Sequence, residues 1–182
     1  MIFTETPLKG AFLVSLEKRE DARGFFARTF CQKEFEVRGL NPRVAQCNIS
    51  VSLYKGTLRG MHYQVPPFAE AKLIRCLRGA IYDVIIDLRS GSASYAKHYA
   101  ATLSANDPTM LFVPEGLAHG FQTLEDDTEV FYQMSESYAP DCARGVRWDD
   151  PAFGISWPPA NRIILDRDRN YPLFSPEIQV RT

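Results

Sequence analysis

The stretch Ala80-Ile81-Tyr82-Asp83-Val84-Ile85-Ile86-Asp87-Leu88 decides the fold class of this chain. It is rich in β-branched residues, and it ends at Arg89-Ser90-Gly91-Ser92, a composition typical of a turn. The hydrophobic pattern has mainly a period of two, and similar runs recur at Ala11–Leu16, Arg43–Val51, Tyr99–Leu103 and Glu129–Met134. The repeating unit is therefore a strand followed by a turn.

Helical patterns are nearly missing from the sequence. Only Gln32–Arg38 reads as a helix, and it is short. Because parallel sheets need long crossover helices, the pattern favours an antiparallel sandwich or barrel. The tail from Asp149 to Thr182 is richer in proline and charge, and we expect short turns there that pack over the barrel. At 182 residues and 45% hydrophobic, without a repeat or linker, the chain predicts one domain over residues 1–182.

Charge and composition narrow the possible partners. The net charge is −1 and the isoelectric point about 6.3, so we expect neither nucleic acid nor an anionic membrane as a partner. Met1–Pro7 reaches charge and proline too early for a signal peptide, and no apolar run approaches the ~20 residues that span a bilayer, which predicts a cytoplasmic protein. Cys31, Cys47, Cys76 and Cys142 lack C-x-x-C spacing and fit reduced, mostly buried thiols.

Two of the three histidines lie in strand-like surroundings. His62 belongs to Gly60-Met61-His62-Tyr63-Gln64, and His119 belongs to Pro114-Glu115-Gly116-Leu117-Ala118-His119-Gly120-Phe121. The run Lys72–Leu77 follows the first segment, and Met110–Val113 precedes the second. In an all-β barrel such positions point inward from neighbouring strands, so both imidazoles are expected in one cavity.

The same two segments suggest a cupin, a double-stranded barrel that offers metal ligands from two motifs. Zn²⁺ or Fe²⁺ needs at least three nitrogen or oxygen ligands. Here His62 is followed by Gln64, a poor ligand, and Glu70 is the only acid near it in sequence. Two imidazoles hold a metal weakly, so the sequence favours a site without metal.

Strand periodicity places several polar residues on one inner face. These are Gln46, Asn48, His62, Gln64, Lys72 and Tyr132. Together they contain a base, a cation and a phenol. Such a set suits proton removal next to a carbonyl: a histidine takes the proton, a cation stabilises the enolate, and a tyrosine returns a proton from the other face. Epimerisation follows if the two faces differ.

The ordered motifs resemble those of the dTDP-4-dehydrorhamnose 3,5-epimerases of nucleotide-sugar biosynthesis, from about Gly10 to Pro172. Any one motif alone is weakly specific, but so many motifs in the same order are hard to obtain by chance. The matching stretches are Asp21–Phe26, Gln46–Ser50, Lys55–Gln64, Lys72–Arg75, Asp83–Arg89, Pro114–Phe121 and Trp148–Pro151. The resemblance implies a double-stranded β-helix, that is, a cupin-like jelly roll with short peripheral helices.

The resemblance also implies catalytic roles for four residues. His62 would be the general base, oriented and made more basic by Asp168. Tyr132 would be the acid on the opposite face, and Lys72 would polarise the C4 carbonyl. Without the resemblance, Asp168 in Asp166-Arg167-Asp168-Arg169 reads as part of a solvated turn.

Further residues are implied in substrate binding. His119 and Arg59 would lie beside the sugar or enolate, and the remaining contacts to the nucleotide diphosphate and its channel would come from Arg23, Gln46, Asn48, Phe26 and Tyr138. The family needs no cofactor and forms a homodimer that exchanges N-terminal strands, here about residues 1–30. Arg23 and Phe26 are therefore expected to act in the partner's site, and the partners of the chain are a nucleotide sugar and a second copy.

Two positions depart from the pattern of the family, and they bear on which nucleotide and which sugar the chain accepts. Ala143 stands where many members carry glutamate, and Leu165 stands where many carry a serine beside the phosphates. The resemblance implies inversion at C3 and C5 of a nucleotide-linked 4-keto-6-deoxy sugar. The alternatives are an epimerase that inverts one centre or uses another nucleotide, a non-catalytic ligand-binding cupin and, third, a metal-dependent oxygenase.

Overall fold

The computed structural model describes residues 1–175, and nearly all of its regular structure is β. The strands are β1 (Ile2–Glu5), β2 (Phe12–Ser15), β3 (Arg19–Asp21), β4 (Gly24–Phe26), β5 (Gln46–Ser52), β6 (Thr57–Gln64), β7 (Lys72–Arg78), β8 (Ala80–Asp87), β9 (His98–Ser104), β10 (Met110–Val113), β11 (Leu117–Thr123), β12 (Thr128–Met134), β13 (Ala143–Gly145) and β14 (Ile163–Ile164). The helices are α1 (Gln32–Glu36) and α2 (Asp166–Arg169), with a 3-10 turn at Pro140–Cys142.

Two sheets carry the fold. The first has the order β1-β2-β10-β7-β12-β5, and the second has the order β13-β6-β11-β8-β9, with β14 parallel to β6. All other pairings are antiparallel. The predicted all-β class and jelly-roll architecture are confirmed.

The main core lies between the two sheets. Ile74 and Leu111 from the first sheet pack in one cluster with Ile85 and Phe121 from the second, and each is at most 1% exposed. Strand β8 is covered on both faces, with Val84 and Ile86 in a second cluster behind the sheet. This double burial explains why Ala80–Asp87 is apolar almost without alternation.

Several predicted boundaries differ from the observed ones. The predicted strand Arg43–Val51 begins only at Gln46, because Asn41 accepts a hydrogen bond from the Arg43 backbone N–H (3.0 Å) in a turn. The predicted helix Gln32–Arg38 ends at Glu36. The C-terminal tail, expected to contain short turns, also contributes the short elements β14 and α2. The last part of that predicted tail, residues 176–182, lies outside the described residues.

The N-terminal residues divide into two parts. Strand β1 pairs with β2, and β2 pairs in turn with β10 of the same chain, while Val14 and Phe12 pack in that chain's core. The following β3–β4 ribbon pairs only with itself among the described residues, and Phe26 on it is 72% exposed. Strand exchange over residues 1–30 stays a prediction, and the ribbon is the part of this segment that projects.

The four cysteines are free thiols, but the expectation that most are buried is wrong. Only Cys76 is buried, whereas Cys47 is exposed because it lies on the edge strand β5. Within residues 1–175, the helices are too short or too polar to cross a membrane.

Candidate active site

A cavity of about 690 Å³ opens between the two sheets. Every residue of the predicted inner face lines it, so strand periodicity places these side chains as expected. The lining residues that bear on the chemistry are Gln46, Asn48, Arg59, His62, Gln64, Glu70, Lys72, His119, Tyr132, Tyr138, Ala143, Leu165, Arg167, Asp168 and Tyr171.

The two histidines are direct cross-strand neighbours, because His119 on β11 lies opposite His62 on β6. Beside them the strands approach unusually closely at Gly60 and Gly120. A Cβ at Gly60 would lie 2.5 Å from the Gly120 Cα, and Gly60 has a φ of +120°. Only glycine fits such a contact, so these two glycines bring the imidazoles to one wall of the cavity.

His62 forms a hydrogen-bonded pair with Asp168. The His62 Nε2 lies 2.8 Å from one carboxylate oxygen of Asp168, and the Gly60 backbone N–H donates to the other at 3.1 Å. Helix α2 brings Asp168 to this position, where it is 1% exposed. Burial alone raises the pKa of Asp168, but hydrogen bonds from His62, Gly60 and Arg167 together hold the pKa below its ordinary value.

The pKa of His62 lies below its ordinary value of 6.5. Burial lowers it most, Asp168 opposes that effect, and the positive charges of Lys72 and Arg167 lower it further. Asp168 therefore makes the imidazole more basic, but the whole site leaves His62 neutral at pH 7. Because Nε2 donates its hydrogen to Asp168, Nδ1 is the ring nitrogen that can accept a proton. The side chain is 33% exposed, so that proton can leave the site.

The facing sheet supplies the cation and the phenol. Lys72 Nζ forms an ion pair with Glu70 at 2.9 Å and donates to the backbone oxygen of His62 at 3.2 Å. Burial, with the negative charge of Asp83, raises the pKa of Tyr132 well above its ordinary value of 10.0. Tyr132 is therefore protonated at neutral pH and can donate a proton.

His119 belongs to a second, more enclosed pair. Its Nε2 lies 2.5 Å from Asp83, whose side chain is fully buried. The other Asp83 carboxylate oxygen has no hydrogen-bond partner among the described residues. The imidazole ring stands perpendicular to that of Tyr132, with 6.2 Å between the ring centroids. This pair forms the wall against which the phenol packs.

The predicted nucleotide contacts are only partly brought together. Gln46 lines the cavity and its side-chain oxygen accepts the Tyr138 backbone N–H at 2.9 Å, while Asn48 and Arg59 line the cavity as well. Arg23 and Phe26 lie outside the cavity of their own chain. The Arg23 guanidinium, 90% exposed, pairs instead with Asp21 in the β3–β4 ribbon.

The structure also brings to the site residues to which the sequence analysis assigns no catalytic role. Asp83 is visible in the sequence as an acid in the middle of the apolar run of β8, whose other acid, Asp87, ends the strand. Glu70 was considered only as a metal ligand, and it instead pairs with Lys72. Arg167 and Tyr171 come from the tail, and no periodicity linked them to a strand 105 residues away. In residues 1–175 no three His, Cys, Asp or Glu side chains form a group that could hold a metal ion.

Comparisons with known proteins identify the family to which the chain belongs. A family profile described as dTDP-4-dehydrorhamnose 3,5-epimerase matches residues 5–176. An enzyme of that description from Sinorhizobium fredii is 40% identical over 173 residues, which are 94% of this chain and 89% of that protein. The crystal structure of a Bacillus anthracis dTDP-4-dehydrorhamnose 3,5-epimerase with TDP and PPi bound superposes with a TM-score of 0.91 at 40% identity, covering 95% and 99% of the two chains.

A dTDP-4-dehydrorhamnose 3-epimerase from Streptomyces niveus is also similar, at 34% identity over 169 residues, 92% of this chain and 81% of that protein. A family match over nearly the whole chain, with relatives well above 30% identity, leaves no ambiguity about descent. The chain belongs to the dTDP-4-dehydrorhamnose 3,5-epimerase family.

Proposed function

We propose that this chain is a cofactor-free epimerase that inverts C3 and C5 of dTDP-4-dehydro-6-deoxy-D-glucose to give dTDP-4-dehydro-L-rhamnose. One observation carries the proposal. The candidate base His62 comes from one sheet, and the candidate acid Tyr132 comes from the facing sheet, across a single cavity. A base and an acid on opposite walls can work on opposite faces of one sugar ring.

The steps follow from the substrate's own ketone. His62 Nδ1 takes the proton from the carbon next to C4, and the electron pair of the broken C–H bond forms the enolate on the C4 oxygen. The Lys72 ammonium donates a hydrogen bond to that oxygen and stabilises the charge as it develops. The ketone supplies the acidity for which other enzymes use a cofactor.

Inversion needs a proton delivered to the other face. The Tyr132 hydroxyl gives its proton to the carbanionic carbon, the C4 ketone re-forms, and the phenolate is reprotonated from water. His62 loses its proton to solvent through its exposed side. The raised pKa of Tyr132 means that the phenolate is a high-energy species, so it recovers a proton rapidly.

Deuterium labelling tests the proposal directly. The purified chain is incubated with dTDP-4-dehydro-6-deoxy-D-glucose in D₂O, and the label is located by NMR. Deuterium at both C3 and C5, with inverted configuration, is expected. No label at either carbon contradicts an epimerase and favours a ligand-binding cupin.

The similarity to a 3-epimerase supports a second candidate, inversion at C3 alone. The same experiment separates the two functions, because a 3-epimerase places deuterium only at C3. The departures at Ala143 and Leu165 lie in the cavity lining, so they also bear on the nucleotide that is accepted. Parallel reactions with a uridine-linked 4-keto-6-deoxy sugar measure that preference.

We further propose a cytoplasmic homodimer in which the β3–β4 ribbon of each copy reaches the partner's cavity. Support comes from the family resemblance and from the exposure of Arg23 and Phe26 outside their own cavity. Complementation tests it: Arg23→Ala and His62→Asn chains are co-refolded as mixed dimers. If Arg23 acts across the dimer, each mixed dimer regains one complete site and activity returns. Absence of recovered activity contradicts the ribbon exchange. Cell fractionation separately tests the cytoplasmic location.

A further inference from the structure

We propose that Glu70 is a positioning residue, which holds the Lys72 ammonium with one N–H directed at the substrate carbonyl. This inference rests on the proposed function, since Lys72 needs a carbonyl to act on. It goes beyond the roles given to His62, Asp168, Tyr132 and Lys72. Three features of the structure carry it: the burial of the pair, the two contacts of the ammonium, and the support of the backbone between the two residues.

The pair is enclosed. The Lys72 Nζ lies 2.9 Å from the Glu70 carboxylate, and the side chains are 7% and 6% exposed. A buried lysine without a negative partner carries a desolvation penalty that favours loss of its charge or displacement toward water. Glu70 compensates the positive charge of Lys72 at the wall of the cavity.

The contacts of the ammonium define its place. An ammonium has three N–H donors in a tetrahedral arrangement. One of them donates to the backbone oxygen of His62 at 3.2 Å, and the Glu70 carboxylate holds the charge from another side as an ion-pair partner at 2.9 Å. Among residues 1–175 no other acceptor for this ammonium is found, and Lys72 lines the cavity. The ammonium is thus held between Glu70 and the His62 oxygen, which leaves an N–H for an acceptor in the cavity.

The backbone between the two residues is also fixed. Ser135 is 4% exposed, and its hydroxyl accepts the Ala71 backbone N–H at 2.7 Å. Its own N–H donates to the Ala71 oxygen at 2.9 Å. Residues two apart in an extended segment project to the same side, so Ser135 holds Glu70 and Lys72 side by side. The pair is therefore built rigidly at the start of β7.

The test uses the whole chain and the deuterium-exchange assay. Glu70→Gln keeps an oxygen that accepts from Lys72 but removes the charge, whereas Glu70→Ala removes both. Because misplacement of a catalytic group by about 1 Å can lower the rate ~10²-fold, we expect kcat for exchange to fall ~10-fold in Glu70→Gln and ~100-fold in Glu70→Ala. KM should stay within about twofold, because ground-state binding is retained.

A second set of variants, made in the Lys72→Met chain, distinguishes positioning of the ammonium from a general loss of structure. In Lys72→Met there is no ammonium to direct, so adding Glu70→Gln should change the residual exchange by less than about twofold. Glu115→Gln is the matched control, since Glu115 pairs with Asn41 at 2.6 Å away from the cavity lining, and its kcat should equal that of the unmodified chain. If Glu70→Ala does not fold, Glu70→Gln alone and combined with Lys72→Met still test whether Glu70 acts through the ammonium.

Two results overturn the inference while the unmodified chain is active. One is an unchanged kcat in the Glu70 variants. The other is an equal loss from Glu70→Gln with and without Lys72, which would mean that Glu70 acts without the ammonium. Failure of the proposed function looks different, because the unmodified chain itself then gives no exchange.

Discussion

Two histidine–carboxylate pairs stand side by side in this site, and they differ in how they are enclosed. His62 is 33% exposed and takes Asp168 from the helix α2 near the C-terminal end of the described chain. His119 is 6% exposed and takes Asp83 from the neighbouring strand β8. In addition, Asp168 accepts hydrogen bonds from Gly60 and Arg167, whereas one oxygen of Asp83 has no partner among the described residues.

The difference indicates that solvent access, more than residue type, decides which imidazole can serve as a base. A base must release its proton to solvent in every turnover, and only His62 has an exposed side. The enclosed His119 is held in place by Asp83 and packs against Tyr132. We therefore propose that the open pair transfers the proton and that the closed pair supports Tyr132 on the facing sheet.

The strongest challenge to this comparison is to remove each imidazole in turn. Since loss of a general base typically lowers a rate ~10²- to 10⁴-fold, His62→Asn should reduce deuterium exchange at C3 and C5 by this factor. His119→Asn should reduce it only about tenfold, as expected for a lost hydrogen bond near the substrate. NMR gives both rates, and dTDP titration checks that binding is kept. Similar losses in both variants would erase the distinction between the pairs.

The wall supported by the closed pair is tested at Tyr132. Tyr132→Phe keeps the base and Lys72 but removes the proton donor of the opposite face. Inversion should fall by the same ~10²- to 10⁴-fold range, while exchange with retained configuration continues. The measurement is deuterium content together with configuration at C5. Normal inversion in this variant would mean that Tyr132 only packs its ring, and that water or His119 donates.

Sequence reasoning located the open and closed histidines but not their acids. Period-two strands put His62 and His119 on one wall, and the observed register sets them directly opposite. Asp168 is different, because its bond to His62 joins residues 106 apart and no local pattern encodes that distance. Only the family resemblance identified it.

The acid of the closed pair shows a different limit. Asp83 lies opposite Phe121, two residues from His119 and on the same face of the sheet. That placement depends on the register of β8 against β11, which a sequence pattern leaves undefined. A charge in the middle of an apolar strand marks such a residue as unusual but does not identify its partner.

A smaller effect should come from Asp168 itself. Asp168→Asn keeps an acceptor for His62 but removes the charge that stabilises the imidazolium formed during proton removal. Exchange at saturating substrate should fall about tenfold, less than for His62→Asn, because the base is still present. The same NMR assay measures it, with Asp149→Asn as the control, since Asp149 pairs with Arg147 outside the cavity lining. A loss as large as that of His62→Asn would make Asp168 more than a supporting group.

The smallest effect concerns pH, and its sign follows from the lowered pKa of His62. Neutral imidazole is the active form, so kcat/KM should be flat from pH 8 down to the ordinary histidine value of 6.5 and fall only below it. The unfolded chain binds this proton more tightly, so the free energy of unfolding should also decline as the pH falls below 6.5. Asp168→Asn removes the negative charge that raises the pKa of His62. The acid limb of kcat/KM should therefore move to still lower pH. His119→Asn should leave that limb in place. An acid limb at or above pH 6.5 would show that another group, and not the open imidazole, accepts the proton.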